Sequence, residues 1–303
     1  MTNNVWLTGS KGMLGTELSV LLEKSGFRFV GSDREVDITK PAELLHFAEG
    51  QQFTWIINCA AYTAVDKAED DAELCRRLNA QGAGNIAACA QKAGARLIHI
   101  STDYVFDGIG VTAEGVTRPY REDDKTNPTG VYGLTKREGE IAVLENNPRS
   151  YIIRAAWLYG KHGNNFVHTM LRLMNERDEI KVVNDQRGSP TWAFDLAFVI
   201  LDIIKAADTS KNIPFGIYHY TNEGNITWYD FAKEIYRQGR QSGLTKKNCS
   251  IKPCTSAEYP SKVKRPVYSV LDKSKIKAAL EIEIPAWDAS LKEFLQDNVN
   301  PKP

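Results

Sequence analysis

A chain of 303 residues, 42% hydrophobic and 25% charged, is long enough to bury a large core as one large domain or two moderate ones. Its 38 basic and 38 acidic residues cancel to zero net charge, which argues against nucleic-acid binding, and no apolar run approaches the roughly 20 residues that cross a bilayer. Five cysteines (59, 75, 89, 249 and 254) and five dispersed histidines show no metal-ligand spacing, so free thiols in a reducing cytoplasm and no bound metal are expected. Met1-Thr2-Asn3-Asn4 leads directly into the first predicted strand, and no signal peptide is expected.

That strand is Val5-Trp6-Leu7-Thr8, followed by Gly9-Ser10-Lys11-Gly12-Met13-Leu14-Gly15 and then by Thr16–Lys24 with leucines at helical spacing. Strand, glycine turn and helix in this order make a phosphate cradle. Glycine permits positive φ, close approach of backbone to a pyrophosphate and close packing of helix on strand, and the amides of the helix start face the anion. The spacing is Gly-x-x-Gly-x-x-Gly, with Gly9, Gly12 and Gly15 as the turn, and not the Gly-x-Gly-x-x-Gly of ordinary dehydrogenases.

A second strand, Phe27–Gly31, ends at Ser32-Asp33-Arg34, which puts Asp33 near the position where an acidic group meets the adenosine ribose. A carboxylate there favours a free 2′-hydroxyl, whereas Arg34, Arg28 or Lys11 suits a 2′-phosphate, so NADH and NADPH both stay open. Asp37-Ile38 is an adenine neighbour, or Asp37 is a helix cap before Thr39-Lys40-Pro41. Trp55–Asn58 is a third strand leading into small residues at Cys59-Ala60-Ala61, the alanine-rich stretch 66–92 is mainly helical, and Arg96–Ile100 is a fourth strand. Strands alternating with helices predict an α/β fold built on a Rossmann-type doubly wound parallel sheet. Ligands of such sheets bind at the carboxyl ends of the strands, which for the fourth strand is Ser101-Thr102-Asp103-Tyr104. Neighbouring strand residues point to opposite faces, so only one of Ser101 and Thr102 reaches a substrate.

Val131-Tyr132-Gly133-Leu134-Thr135-Lys136 sets a phenol and an ammonium one helical turn apart. A unit charge about 5 Å away at an effective dielectric of about 20 is worth roughly 3 kcal/mol, or about 2 pKa units, enough to draw a phenol toward a working proton donor. Residues 1–156 and about 180–215 are read as the dinucleotide-binding domain, and about 157–179 with 216–303 as a smaller, discontinuous C-terminal substrate domain. In this second half Trp192–Ala207 reads as a core helix, Gly216–Tyr220 as a strand of the smaller domain, Trp228–Gln238 as a helix capped by Thr227, and Ala286–Gln296 as the last helix. Lysines 246, 247, 252, 262 and 264 form a loosely basic stretch, read as solvated loop; Arg265, stiffened by Pro266, is its best partner for a diphosphate.

Taken together, the glycine turn, Ala60-Ala61-Tyr62-Thr63-Ala64-Val65-Asp66-Lys67-Ala68-Glu69, Ser101-Thr102-Asp103-Tyr104-Val105-Phe106 and Tyr132-x-x-x-Lys136 resemble the extended short-chain dehydrogenase/reductases and, among these, the dTDP-4-dehydrorhamnose reductases. The likeness runs on through Arg154–Tyr159, Gly163–Phe166, Asn184–Thr191 and Arg265-Pro266, nearly the whole chain. The resemblance implies Thr102, Tyr132 and Lys136 as the catalytic residues. It also implies Gly12, Met13 and Leu14 at the pyrophosphate, Asp33, Asp37 and Ile38 at the adenosine, and Ala61, Tyr62 and Thr63 along the inner half of an NADPH or NADH cofactor. Thr102, Asp103 and Trp157 match positions that meet a dTDP-sugar, with Tyr104 a lesser match. The implied reaction is reduction of a C4 ketone, Tyr132 giving the proton, Lys136 lowering its pKa and binding the nicotinamide ribose, and Thr102 polarising the carbonyl.

Two departures bear on this. The 107–120 loop is longer than the family leads one to expect and reads as a lid or a surface excursion. Some relatives dimerise through a metal held by glutamates; Glu17 matches one such position, but Ala193-Phe194-Asp195 supplies no glutamate at another, so a monomer or weak homodimer is expected. A dehydratase needs a glutamate after Thr102-Asp103, where Tyr104 stands. An epimerase, or a non-catalytic dinucleotide-binding regulatory subunit, shares the fold and stays open.

Overall fold

Alternate residues along the first strand serve two cores: Val5 and Leu7 face one layer of helices and Trp6 the other, all three fully buried. The computed structural model describes residues 3–113, 115–209, 213–259 and 261–299; Met1 and Thr2 of the N-terminal stretch and Glu114 of the 107–120 loop lie outside the described residues. The central sheet has six strands: β1 (Asn4–Thr8), β2 (Arg28–Ser32), β3 (Trp55–Asn58), β4 (Arg96–Thr102), β5 (Ser150–Ala155) and β6 (Gly216–His219). All pair in parallel in the order β2-β1-β3-β4-β5-β6. Burial on both faces is why the inner strands β1, β3 and β4 are rich in apolar residues. The order reverses at β1, so a crevice opens between the carboxyl ends of β1 and β3, where doubly wound sheets hold their ligands.

The principal helices are α1 (Met13–Lys24), α2 (Pro41–Ala48), α3 (Ala83–Ala93), α4 (Val131–Asn146), α5 (Phe166–Glu176), α6 (Ala193–Ala207), α7 (Trp228–Gln241), α8 (Ser274–Leu280) and α9 (Trp287–Val299). Leu18 and Leu22 of α1 and Ile200 and Ile204 of α6 cover one face of the sheet, while Leu44 of α2, Ile86 and Ala90 of α3 and Val143 of α4 cover the other. The alanine-rich stretch is interrupted by a π-turn at Arg77–Gly82 between helical Ala72–Arg76 and α3. No helix of the described residues is long and apolar enough to cross a membrane.

Two segments sit differently from the sequence reading. Gly216–His219 is the sixth strand of the central sheet and not part of the smaller lobe, because its register along Tyr151–Arg154 buries Tyr218 in the core with Tyr151. Glu179–Val183, expected with the dinucleotide-binding part from about 180, pairs in parallel with Ser250–Cys254. Only its Ile180 and Val182 are buried, against α5 and α7, so it has one apolar face and cannot be an inner strand of the large sheet. Thr227 caps α7 as expected, in a reciprocal capping box with Asp230. The 107–120 loop carries a hairpin, Val111–Ala113 with Val116–Arg118. It is tied down by Tyr120, which stacks on Phe106 at 4.2 Å and donates its hydroxyl to Asp107 Oδ1 at 2.6 Å.

Beneath the carboxyl end of β4 lies a buried ion pair. The Glu140 carboxylate, 0% exposed, accepts from Arg154 Nε (2.7 Å) and Nη2 (2.8 Å) and from Ser101 Oγ (2.7 Å), joining α4 to β5 and β4. Removing one partner of a buried pair strands the other charge, so Glu140→Ala should lower the unfolding free energy by about 3–5 kcal/mol in urea titrations. Arg137→Ala, which removes the more solvent-exposed cation on the same carboxylate, should lower it by under about 1 kcal/mol.

Candidate active site

The turn between β1 and α1 is shaped by what cannot fit there. Gly9 has φ +64°, and a Cβ on Gly15 would stand 2.1 Å from the Gly9 carbonyl oxygen. Helix α1 therefore begins directly against the turn, with Gly12 as its N-cap and no side chain capping the first amides. Uncapped amides at the positive end of a helix dipole suit a phosphate, so the dinucleotide fits this turn. Met13 is partly buried, and Leu14 is buried in the core, which leaves Leu14 only its backbone for a ligand. The turn backs onto Ala60, and the following Tyr62 is fixed by the Asn79 side chain, which accepts from Tyr62 N (2.8 Å) and donates to Tyr62 O (3.0 Å). Ala61 is half-buried and Thr63 exposed along the same rim.

At the other end of the crevice Asp33 accepts from the backbone N–H groups of Lys11 (3.2 Å) and Arg34 (2.9 Å), tying β2 to the glycine turn. Asp37 closes a local turn by accepting from Thr39 N (2.9 Å) and Thr39 Oγ1 (2.8 Å), which hold its carboxyl below the ordinary range. It does not cap α2, whose N-cap is Lys40 with no side-chain bond. Ile38 is buried against the glycine of the π-turn, Gly82.

Strand β4 runs two residues further than its apolar pattern indicates, and its last two side chains diverge as the alternation requires. Ser101 turns inward to Glu140. Thr102 is buried at the strand end, donates to Asp103 Oδ1 (2.9 Å) and accepts from Tyr104 N (3.3 Å). Tyr132 and Lys136 sit on the first turns of α4, whose end comes so near Tyr104 that a Cβ on Gly133 would be 2.1 Å from the Tyr104 carbonyl oxygen. Lys136 is 2% exposed and donates to Ile100 O at 2.6 Å. Burial pushes its ammonium down to about 8, against the pull of the Glu140 carboxylate.

Here the geometry departs from the expectation that Lys136 lowers the pKa of Tyr132. The ammonium is committed to a carbonyl oxygen, and desolvation raises the phenol above its ordinary value in spite of the Thr102 hydrogen bond. Asp103, 4% exposed, is pushed by burial up to about 7, with the Thr102 hydroxyl pulling the other way.

Tyr104 meets Tyr132 edge to face at 5.5 Å, and its hydroxyl accepts from Arg265 Nη1 at 2.9 Å; Arg265 also pairs with Asp66. Trp157 holds φ +49°, a left-handed conformation that costs about 1–3 kcal/mol in a bulky residue, and stacks on Trp228 at 3.5 Å. The indole also packs closely on Gly188, where a Cβ would stand 2.5 Å from it. Asp103, Tyr104, Trp157, Trp228 and Arg265 line one cleft of about 930 Å³, large enough for a nucleotide-sized ligand. Sequence reasoning missed Trp228, Asn79 and Glu140. The first had a signal in the Thr227 cap that fixes the start of α7; the other two act through partners far along the chain.

Glu17 is buried, which raises its carboxyl, while the Lys161 ammonium beside it acts in the opposite direction. Lys161 Nζ is also 3.4 Å from Asp297 Oδ2. Among the described residues no group of histidine, cysteine, aspartate or glutamate is arranged to hold a metal ion.

Residues 3–300 match the family described as the RmlD substrate binding domain. A dTDP-4-dehydrorhamnose reductase of Streptomyces griseus is 43% identical over 291 residues, 95% of this chain and 92% of the relative. The crystal structure of a dTDP-4-dehydrorhamnose reductase from Clostridium acetobutylicum, 40% identical, superposes with a TM-score of 0.87 over 97% of this chain and 98% of its own. That of a dTDP-4-dehydrorhamnose reductase from Bacillus anthracis in complex with NADP, 36% identical, does so with a TM-score of 0.88 over 98% and 100%.

The Asp103 carboxyl generates a stability prediction. It titrates near 3.8 when unfolded and near 7 when folded, so the folded state holds the extra proton between these values and stability falls as pH rises from about 4 to about 7. Asp103→Asn should flatten that fall, seen as a smaller drop in Tm between about pH 4 and about pH 8 than in the parent chain.

Proposed function

This chain belongs to the RmlD substrate binding domain family, and we propose that it is an NADPH-dependent reductase that converts the C4 ketone of dTDP-4-dehydro-L-rhamnose into the alcohol of dTDP-L-rhamnose. The observation that supports this reading is the placement of Thr102 at the carboxyl end of β4 and of Tyr132 and Lys136 on the first turns of α4, with Lys136 bonded to Ile100 O of β4, next to a cleft lined by Asp103, Tyr104 and Trp157. The cofactor fits a turn in which no side chain caps α1 and no Cβ is tolerated at Gly15. Gly9, Gly12, Met13, Leu14 and Gly15 hold its pyrophosphate, Asp33, Asp37 and Ile38 flank its adenosine, and Ala61, Tyr62 and Thr63 border its inner half. When bound, the dihydronicotinamide supplies the hydride.

The rest of the chemistry belongs to the protein. As negative charge grows on the ketone oxygen, Tyr132 gives it a proton, and its raised pKa keeps the phenol fully protonated until then. Thr102 donates a hydrogen bond to the same oxygen and stabilises the charge as it develops. The Lys136 ammonium binds the nicotinamide ribose and, once drawn from Ile100 O, favours the phenolate left behind. Asp103 and Trp157 orient the sugar, and Arg265 exchanges Asp66 for the diphosphate.

NADPH as the cofactor is supported by the NADP complex of the Bacillus anthracis relative and by Lys11 and Arg34 at the ribose end, with NADH a weaker donor. Five free cysteines suit a reducing cytoplasm, and the Lys161 ammonium against Glu17 suits a monomer or weak homodimer in place of a metal-bridged one.

Supplying purified chain with dTDP-4-dehydro-L-rhamnose and each reduced cofactor should consume nicotinamide absorbance; no consumption with either cofactor, together with copurification of a catalytic partner, would favour the regulatory-subunit reading. Tyr132→Phe should abolish turnover while NADPH affinity in fluorescence titrations stays near that of the parent chain, and Lys136→Met should weaken both. Because the ammonium is lost as pH rises through about 8, kcat should decline on the alkaline side of that value.

A further inference from the structure

Residues 261–266 form a strap along the cleft that is pinned at two points. Val263 is buried and packs on Gly130, the N-cap of α4, and Pro266 lies so close to Gly108 that a Cβ there would stand 2.7 Å from it. Ser261 Oγ donates to Val263 O at 2.6 Å and closes the turn around the first pin. These contacts fix the backbone that carries Lys262 and Arg265, both of which line the cleft.

Each of the two cations meets its own carboxylate. Lys262 Nζ is 2.5 Å from Asp70 Oδ2, and Arg265 pairs with Asp66. Asp66 and Asp70 stand four residues apart, at the spacing that sets side chains on one face of a helical turn, on the segment that continues from Ala61, Tyr62 and Thr63. That segment is itself held to the start of α4, where Glu69 Oε1 accepts from Val131 N at 2.8 Å. The carboxylates are therefore the fixed side of both pairs, and the cations sit on long flexible stems.

The geometry points to Lys262 as a second ligand of the substrate diphosphate, acting beside Arg265, an inference that rests on the reductase reading above. Lys262 and Asp70 are 61% and 62% exposed, so water screens their pair and it holds the ammonium lightly. Lys262 lies three positions before Arg265 on the pinned strap, and a diphosphate that draws the guanidinium from Asp66 comes within the sweep of the ammonium as well. The exchange is balanced in charge, because two carboxylates give way to the two phosphates. A guanidinium grips a phosphate through its planar fork, whereas an ammonium serves as a compact point charge with three rotatable donors, so the two cations complement each other. The other cations lining the cleft, Arg177 and Lys181, come from the end of α5 and the strand after it, far in sequence from both the strap and the Asp66–Asp70 segment.

A ligand role and a purely structural role for the Lys262–Asp70 pair predict opposite signs at Asp70. If the pair only ties the strap down, losing either partner loosens the cleft and weakens binding alike. If the ammonium is to be handed to the diphosphate, Asp70 is its competitor and also repels the incoming charge, so removing the Asp70 charge tightens binding.

The test is calorimetric titration of the full chain, with NADP bound, by dTDP and by uncharged thymidine. Lys262→Ala should raise the Kd for dTDP about tenfold, the size of one charge-assisted contact, and leave thymidine binding as in the parent chain. Lys262→Arg should recover most of the dTDP affinity. Asp70→Asn should lower the Kd for dTDP about threefold, and should have no effect when combined with Lys262→Ala. The KM for dTDP-4-dehydro-L-rhamnose should move in the same directions.

An unchanged dTDP affinity in Lys262→Ala, an equal loss of thymidine and dTDP binding, or weaker dTDP binding in Asp70→Asn would each overturn the proposal, as would a parent chain that binds no dTDP. Binding of dTDP that depends on Lys262 in a chain that oxidises no NADPH would sink the reductase reading and leave the diphosphate site standing. Turnover by a chain whose dTDP affinity ignores Lys262 would do the reverse.

Discussion

The Glu140 carboxylate is shared by three elements: α4 carries it, β5 supplies the Arg154 fork and β4 supplies Ser101. A fully buried pair is no assured source of stability, since desolvation consumes most of its Coulomb energy. What it provides is position, because two parallel N–H···O bonds to a rigid guanidinium allow one geometry only. Arg154 is further held by stacking over Phe106 at 5.0 Å. With Ser101 bound to Glu140, the pleat turns the next residue of β4 the other way, and Thr102 bonds Asp103 instead. Gly133 lets α4 close the remaining distance, its missing Cβ accommodating the Tyr104 carbonyl.

That docking also decides the electrostatics. Bringing α4 down on β4 buries the Lys136 ammonium and the Asp103 carboxyl, and burial moves each toward neutrality, Lys136 down to about 8 and Asp103 up to about 7. Neither is locked in one protonation state near neutral pH, so both answer to small changes in charge nearby. The phenol, pushed upward, is the fixed member and changes state only when chemistry compels it. Opposed shifts around a single acid are the pattern that separates proton-handling roles among neighbouring groups.

Much of this was legible in the chain, where the signal is local. The glycine turn, the apolar strands β1 to β4, the Tyr132–Lys136 spacing and the divergence of Ser101 from Thr102 all follow from periods of two or of about four residues. What was not legible depends on partners far apart. Gly216–His219 looks like any short strand until it is laid along Tyr151–Arg154, and Glu179–Val183 declares itself only against Ser250–Cys254. Asn79 and Glu140 read as ordinary helical polar residues, yet their partners lie 17, 39 and 14 positions away. The surroundings of Lys136 were hidden for a related reason: spacing gives proximity to Tyr132, but not the carbonyl of Ile100 that takes its ammonium or the cost of burial.

The loosely basic stretch near residues 246–265 shows the same principle acting on charge. In the fold four of its cations are neutralised one at a time by carboxylates distant in sequence: Lys247 by Asp178, Lys252 by Glu179, Lys262 by Asp70 and Arg265 by Asp66. Each pair has at least one partner well exposed, and such pairs contribute about 0–1 kcal/mol apiece. An arginine held that lightly exchanges a carboxylate for a phosphate at little cost, and the two fixed charges of a diphosphate outweigh one aspartate. Arg154, by contrast, forks onto Glu140 with two bonds and at 1% exposure, where leaving means stranding a buried charge. Burial thus separates the arginine that builds the site from the arginine free to meet a ligand.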